Sequence, residues 1–301
     1  MPASASATTR SSMLALIGLL AVAAAWGSSF PLTKALLARM SAVNFNAVRF
    51  TLAAIVMLAL FARSLRSLGR RGLTLGMLLG VTYGVAQLVQ TTGLEHTPAS
   101  VSGFITGTYV VLTPICAALL LRTPIGPRVW IGAGLATVGL GLLALNGLSL
   151  GFGEALTLAS ALIYALHIVG LGAWSTASAA LGLGVIQIVG CAAVSLLAAL
   201  VFDHGRIILP SNGFDWTALI YMALVSGALA MVVQSWAQAH LAPSRAAIIM
   251  STEPAWAAGF AITFLHEPLT WRIGLGGLTM LAAMLVVELQ PRRAGRGDRN
   301  R

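Results

Sequence analysis

Residues 155–202 carry no Asp, Glu, Lys or Arg, and several other stretches between charged residues are long and apolar too. A bilayer offers no water to bond exposed peptide groups, so a chain built this way folds as helices that satisfy their own backbone inside the membrane. Only 9% of the residues are charged and 58% are hydrophobic, against about a quarter charged in water-soluble domains. The expected fold class is an all-α integral membrane protein.

Breaking the chain at charged or Pro/Gly-rich points gives ten candidate spans, roughly 12–34, 44–62, 73–94, 99–121, 128–145, 153–173, 181–202, 215–239, 245–265 and 271–289. The first follows Arg10 like the apolar core of a signal peptide. Its apolar pattern continues to Lys34, and an uncleaved span is the better reading. The domains expected are a tail at 1–11, five helices in 12–145, five more in 153–289, and a basic tail at 290–301. With the N-terminus inside, 13 Lys and Arg fall on the inner side and 5 (Lys34, Arg39, Arg49, Arg206 and Arg272) on the outer side. The positive-inside rule then places both termini in the cytoplasm, with the chain in the inner (plasma) membrane. The net charge of +10 sits in short loops and the tail, which argues against nucleic acid as a partner. Cys116 and Cys191 lie in apolar runs and read as small buried hydrophobes.

The halves repeat. VQTTGLEHTPAS (89–100), LTPICAALL (112–120) and WIGAGLATVGLGLL (130–143) are followed by VQSWAQAHLAPS (233–244), TEPAWAAGF (252–260) and RIGLGGLTMLAAML (272–285). Each half holds five spans, an odd number, so the second copy is expected upside down relative to the first. Inverted repeats of this kind place a binding site at their interface near the bilayer midplane.

AWGSSFPLTKALL (25–37), RF at 49–50, a proline in the fourth span, and EP at 253–254 followed by HEPLTWRIG (266–274) resemble the EamA family of the drug/metabolite transporter superfamily. The resemblance runs from about residue 13 to 289. It implies ten spans as two EamA units, transport of a small-molecule substrate by alternating access, and export driven by proton exchange. It names no solute, requires no cofactor or metal, and leaves room for a homodimer. The first half has RTPIG (122–126) where a unit commonly ends its fourth span with a glutamate. A structural capping role for that glutamate is expected only in the second copy, at Glu267.

Polar residues recur on single helix faces. Amides and hydroxyls facing lipid would lack partners, so these faces are expected to look into the bundle. The third span offers Tyr83, Gln87 and Gln90 beside a ladder of Gly72, Gly76, Gly80 and Gly84, whose spacing suits close helix packing. The fourth offers Ser102, Thr106, Tyr109 and Thr113. Ser102 and Thr106 can return their hydroxyls to their own helix, which leaves Tyr109 the better cavity candidate. The sixth offers Thr157, Ser160, Tyr164 and His167, with His167 either a relay or substrate contact or a satisfied histidine. The eighth offers Gln234 and Gln238, and the first Trp26, Ser29 and Thr33. Lys34 and Arg49 are assigned to the outer mouth, either snorkelling or attracting anions. Helix bends are expected at Pro31, Pro114 and Pro254, because each proline removes a backbone hydrogen bond.

Glu253 stands apart. The other seven acids lie near span ends, in loops or in the tail, whereas this one lies inside the ninth span and replaces Thr113 of the first copy. Desolvation favours the neutral form of a carboxyl, so such a group can take up and release protons near neutral pH. It can also pair with a substrate ammonium, or stay neutral in a structural hydrogen bond. No metal cluster, nucleophile elbow or phosphate loop points to an enzyme. The function expected is secondary active transport of small amphipathic organic solutes such as amino acids, metabolites or drugs. An intramembrane enzyme or a structural or sensory membrane protein are the alternatives.

Overall fold

The computed structural model describes residues 3–122, 125–146, 149–174, 180–230, 232–234, 237 and 249–288. Its helices are α1 (Ala3–Leu37), α2 (Ala42–Phe61), α3 (Gly69–His96), α4 (Ala99–Gly107), α5 (Tyr109–Leu121), α6 (Pro127–Ala144), α7 (Phe152–Trp174), α8 (Ala180–Phe202), α9 (Gly213–Ala223), α10 (Glu253–Phe264) and α11 (Trp271–Glu288). A 3-10 turn (Ala62–Ser67) links α2 to α3, and a π-helical turn (Leu224–Leu229) continues α9. The strand content of the described residues is one two-residue antiparallel pairing, Leu145 with Leu150 and Asn146 with Ser149. Among the described residues, seven helical segments are long and apolar enough to cross a membrane, and two shorter apolar helices accompany them. Large apolar side chains such as Leu119, Trp130, Leu200, Phe202 and Leu278 face outward, as a lipid-facing surface requires. The chain is an all-α integral membrane protein.

Two spans expected as single helices are interrupted. The fourth breaks at Thr108 into α4 and α5. There the Thr108 amide and hydroxyl both bond back to the Ile105 carbonyl, at 3.1 and 2.6 Å, which tightens the turn in place of an α-helical bond. The break lies before Pro114, which sits within α5. In the ninth, a turn at Ser251–Thr252 precedes α10, and Pro254 occupies the first turn of that helix. A proline there removes an N–H that has no helical acceptor anyway, so Pro254 starts a helix rather than bending a continuous one. Pro31 lies inside α1, which carries through it.

Helix packing follows a pairing scheme. The contacts α1–α10 and α4/α5–α7 exchange into one another when the halves are swapped, as do α3–α8 and α2–α9, while α2–α8, α6–α11 and α4–α10 map onto themselves. The glycine ladder of α3 lets two backbones touch. A Cβ at Gly80 would stand 2.5 Å from the Gln187 carbonyl oxygen, and at Gly84 3.0 Å from Cys191 Cα. The core between α4, α5, α6, α10 and α11 is filled by Phe104, Val110, Val129, Met280, Ala283, Met284 and Val287. Both cysteines are buried and unpaired, as expected of small apolar fillers.

Candidate functional site

A cavity of about 210 Å³ lies among α1, α2, α3, the α4–α5 junction, α7, α8, the π-helical turn and the start of α10. At about 30 Å³ per liquid water it has room for several waters or for part of a small solute. Trp26, Tyr83, Gln87, Gln90, Tyr109, Tyr164, His167, Gln234 and Glu253 all line it. Thr113 does not. Its hydroxyl donates to the Tyr109 carbonyl at 2.7 Å, the local bond that threonine makes inside helices. Gln238 and Trp236 fall outside the described residues.

The lining groups are tied to one another. Gln87 Nε2 donates to the Tyr83 hydroxyl at 2.8 Å, the Tyr164 hydroxyl donates to Gln90 Oε1 at 3.0 Å, and Gln90 Nε2 donates to Thr106 Oγ1 at 3.0 Å. The chain Tyr164–Gln90–Thr106 therefore joins α7, α3 and α4. Gln187 Nε2 donates to the Leu183 carbonyl, which leaves its Oε1 as an acceptor 2.6 Å from His167 Nε2. His167 Nε2 must then carry a proton, and its ring packs 5.3 Å from that of Tyr83. On the opposite wall, Trp26 Nε1 donates to the Ser226 carbonyl at 2.9 Å, and Ser226 Oγ donates to the Ala25 carbonyl at 3.0 Å.

Among the described residues, two charged side chains reach the cavity. Glu253 enters at the first residue of α10 and shares the wall with Tyr109 at the start of α5. Arg49 enters from α2 with 7% of its surface exposed, its guanidinium 4.9 Å from the Phe50 ring centre and 5.8 Å from that of Phe45. The outer-mouth assignment of Arg49 is thus corrected. It lies two turns inside its helix, and the rings beside it hold its stem and head inward. Lys34 is corrected too. Its ammonium neither snorkels nor stands free, but donates to the carbonyls of Leu94, Glu95 and Thr97 at 2.7, 2.9 and 3.1 Å, closing the C-terminal end of α3.

Charged groups beside the helix ends join the halves. Glu267 accepts from the amides of Ala99 and Ser100 at 2.6 and 3.1 Å and from the Ser100 hydroxyl at 2.5 Å, capping α4 of the other half. Within the first half, Glu95 Oε1 accepts from the Ala42 amide at 2.9 Å, at the start of α2. Arg39 pairs with Asp215, and Asn44 and Ser41 with Asp203. The Asp215 carboxylate hydrogen-bonded to Arg39 holds that guanidinium above its ordinary pKa.

Gln187, Ser226 and Thr91 on the wall are absent from the faces picked out by sequence periodicity, and Thr106, set aside there, lines the cavity as well. Gln187 carries a usable signal, since it is an amide within the apolar run VIQIV (185–189). Ser226 carries none, because its place depends on the π-helical turn.

The model of the EamA-like transporter family matches residues 13–145 and again 151–289. A protein of Archaeoglobus fulgidus described as an uncharacterized transporter is 32% identical over 276 residues, covering 91% of this chain and 85% of that one. A solved crystal structure superposes with a TM-score of 0.59 at 17% identity, over 93% of this chain and 96% of that one, which shows a common fold. Two matched units spanning nearly the whole sequence leave one assignment: the chain belongs to the EamA-like transporter family.

Proposed function

We propose that the protein is a secondary active transporter of small amphipathic organic solutes, working by alternating access around the central cavity. Ten spans form two inverted five-helix units, both termini lie in the cytoplasm, and the chain resides in the inner (plasma) membrane. Glu253 is the proton-coupling group, and export is the direction taken from the family resemblance. The observation that carries the reading is the position of Glu253. It is an acid on the wall of a mixed aromatic and amide cavity, at a helix start. Intramembrane acids so placed mark ion or substrate pathways. The exchange of packed helix pairs between halves supports two rocking units, because a pair that opens on one side of the membrane has a counterpart that closes on the other.

The test uses purified protein in sealed vesicles, with accumulation of labelled solutes followed with and without an imposed pH gradient. Gradient-dependent accumulation that Glu253→Gln abolishes is expected. Full gradient-driven accumulation by Glu253→Gln would remove the proton role, and no accumulation of any solute class by the wild type would remove the transport reading.

A further inference from the structure

Arg49 poses a problem that proton coupling leaves unsolved. Among the described residues it has neither an ion-pair partner nor a hydrogen bond, and its Nε is a buried donor without an acceptor. A buried guanidinium is normally paired or hydrogen-bonded, since its desolvation is otherwise uncompensated. The Phe45 and Phe50 rings orient the group and offer attraction to its face, but they supply no counter-charge. The one side of Arg49 that remains is the cavity, which it lines. Glu253 does not fill the role. Arg49 and Glu253 act electrostatically on the same two tyrosines, Tyr83 and Tyr164, yet form no pair with each other. The cavity therefore carries a cation and an acid on its walls that form no ion pair, with Tyr83 and Tyr164 also on the wall and Phe30, Leu94, Ile168 and Leu171 supplying apolar surface.

We propose that Arg49 is the anchor for a solute carboxylate, and that the solutes taken by this cavity are small organic carboxylates with an apolar or aromatic body. This rests on the central cavity being the transport site and names the solute class for it. A carboxylate matches the planar fork of a guanidinium and supplies both the missing charge and the missing acceptor. A solute amine would meet Arg49 as a like charge and leave its donors unsatisfied.

The experiment is calorimetric titration of the purified full chain with matched pairs of probes, 3-phenylpropionate against phenethylamine and hexanoate against hexylamine. The wild type is expected to bind the carboxylates. Arg49→Gln should weaken that binding about tenfold or more, the loss expected for a charge-assisted hydrogen bond. Arg49→Lys, which keeps the charge and loses the fork, should fall between, and serves as the deciding variant if Arg49→Gln does not fold. A purely structural arginine would change the melting temperature without separating carboxylates from amines. The proposal is overturned if neither carboxylate binds the wild type, if only the amines bind, or if carboxylate binding is indifferent to both Arg49 variants. Vesicle uptake keeps the two readings distinct. Arg49-dependent carboxylate binding without uptake defeats the transport reading alone, whereas uptake of amines only, unaffected at Arg49, defeats this proposal alone.

Discussion

Tyr109 and Glu253 share the cavity wall, so the first residue of α5 in one half and the first residue of α10 in the other face the same space. Both residues sit just after a helical interruption, where backbone geometry can change without breaking a long helix. If Glu253 carries the proton, Glu253→Gln should still exchange unlabelled for labelled solute across vesicles while losing accumulation driven by a pH gradient. Tyr109→Phe, which deletes the hydroxyl and keeps the ring, should accumulate solute more slowly than the wild type but remain gradient-dependent. Counterflow and net uptake measured on the same vesicles check both.

Glu267 caps a helix it does not belong to. Removing its three acceptor contacts with Glu267→Ala leaves the first amides of α4 without partners inside the protein. A loss of about 1–2 kcal/mol is expected, the usual range for deleting a cap, read as a lower thermal midpoint of the purified protein. Glu267→Gln, which retains an acceptor oxygen, should recover part of it.

Gly80 and Gly134 should respond oppositely to the same methyl group. At Gly80 a Cβ meets the backbone of α8 at 2.5 Å, and neither chain can yield without separating α3 from α8. Gly80→Ala is expected to cost about 1–3 kcal/mol, the usual scale of overpacking. At Gly134 a Cβ would meet nothing within 4 Å, so Gly134→Ala should be neutral or mildly stabilising. Denaturation curves in mixed detergent compare the two directly.

Arg39 is half exposed while Asp215 is buried beneath it. Water and salt screen an ion pair at such a site, so Asp215→Asn should change stability little. It also frees one tie between the halves, so its effect should appear in motion. On a background with Cys116 and Cys191 replaced by Ala, the thiol introduced by Thr33→Cys should react with an impermeant reagent severalfold faster once Asp215 is changed to Asn. Equal labelling rates would show that the pair does not restrain this end.

How much of the fold and site can be read from the sequence depends on the range of the interaction involved. Gln87, Gln90, Tyr83 and Tyr164 are legible because a single helix face, set by a period of 3.6 residues, decides where each points. Glu253 is legible because an acid within a span is conspicuous against its neighbours. Arg49 is misplaced when distance from a charged loop serves as a measure of depth, since two neighbouring phenylalanines draw the side chain inward instead. Lys34 is misjudged because its partners are three carbonyls of another helix, and carbonyls leave no trace in residue type. Thr113 looks equivalent to Glu253 by repeat alignment, yet a threonine can close its hydroxyl on its own helix and a carboxylate cannot. The break at Thr108 gives little signal because no glycine or proline stands at the position itself, only Gly107 before it.

The crossing of α4 and α10 has a mechanical consequence. A Cβ on Gly103 would lie 2.6 Å from Ala257 Cβ, and one on Gly107 2.6 Å from Pro254 Cγ, so no side chain from α4 projects between the helices at these positions. Two bodies that rock against each other need a fulcrum, a line where they touch and barely slide. Bare α4 backbone against alanine and proline of α10 gives such a line, with the Met284 side chain of α11 also packed on Gly107. If the two units rock as proposed, the cavity beside this line is where a small rotation would open one mouth and shut the other.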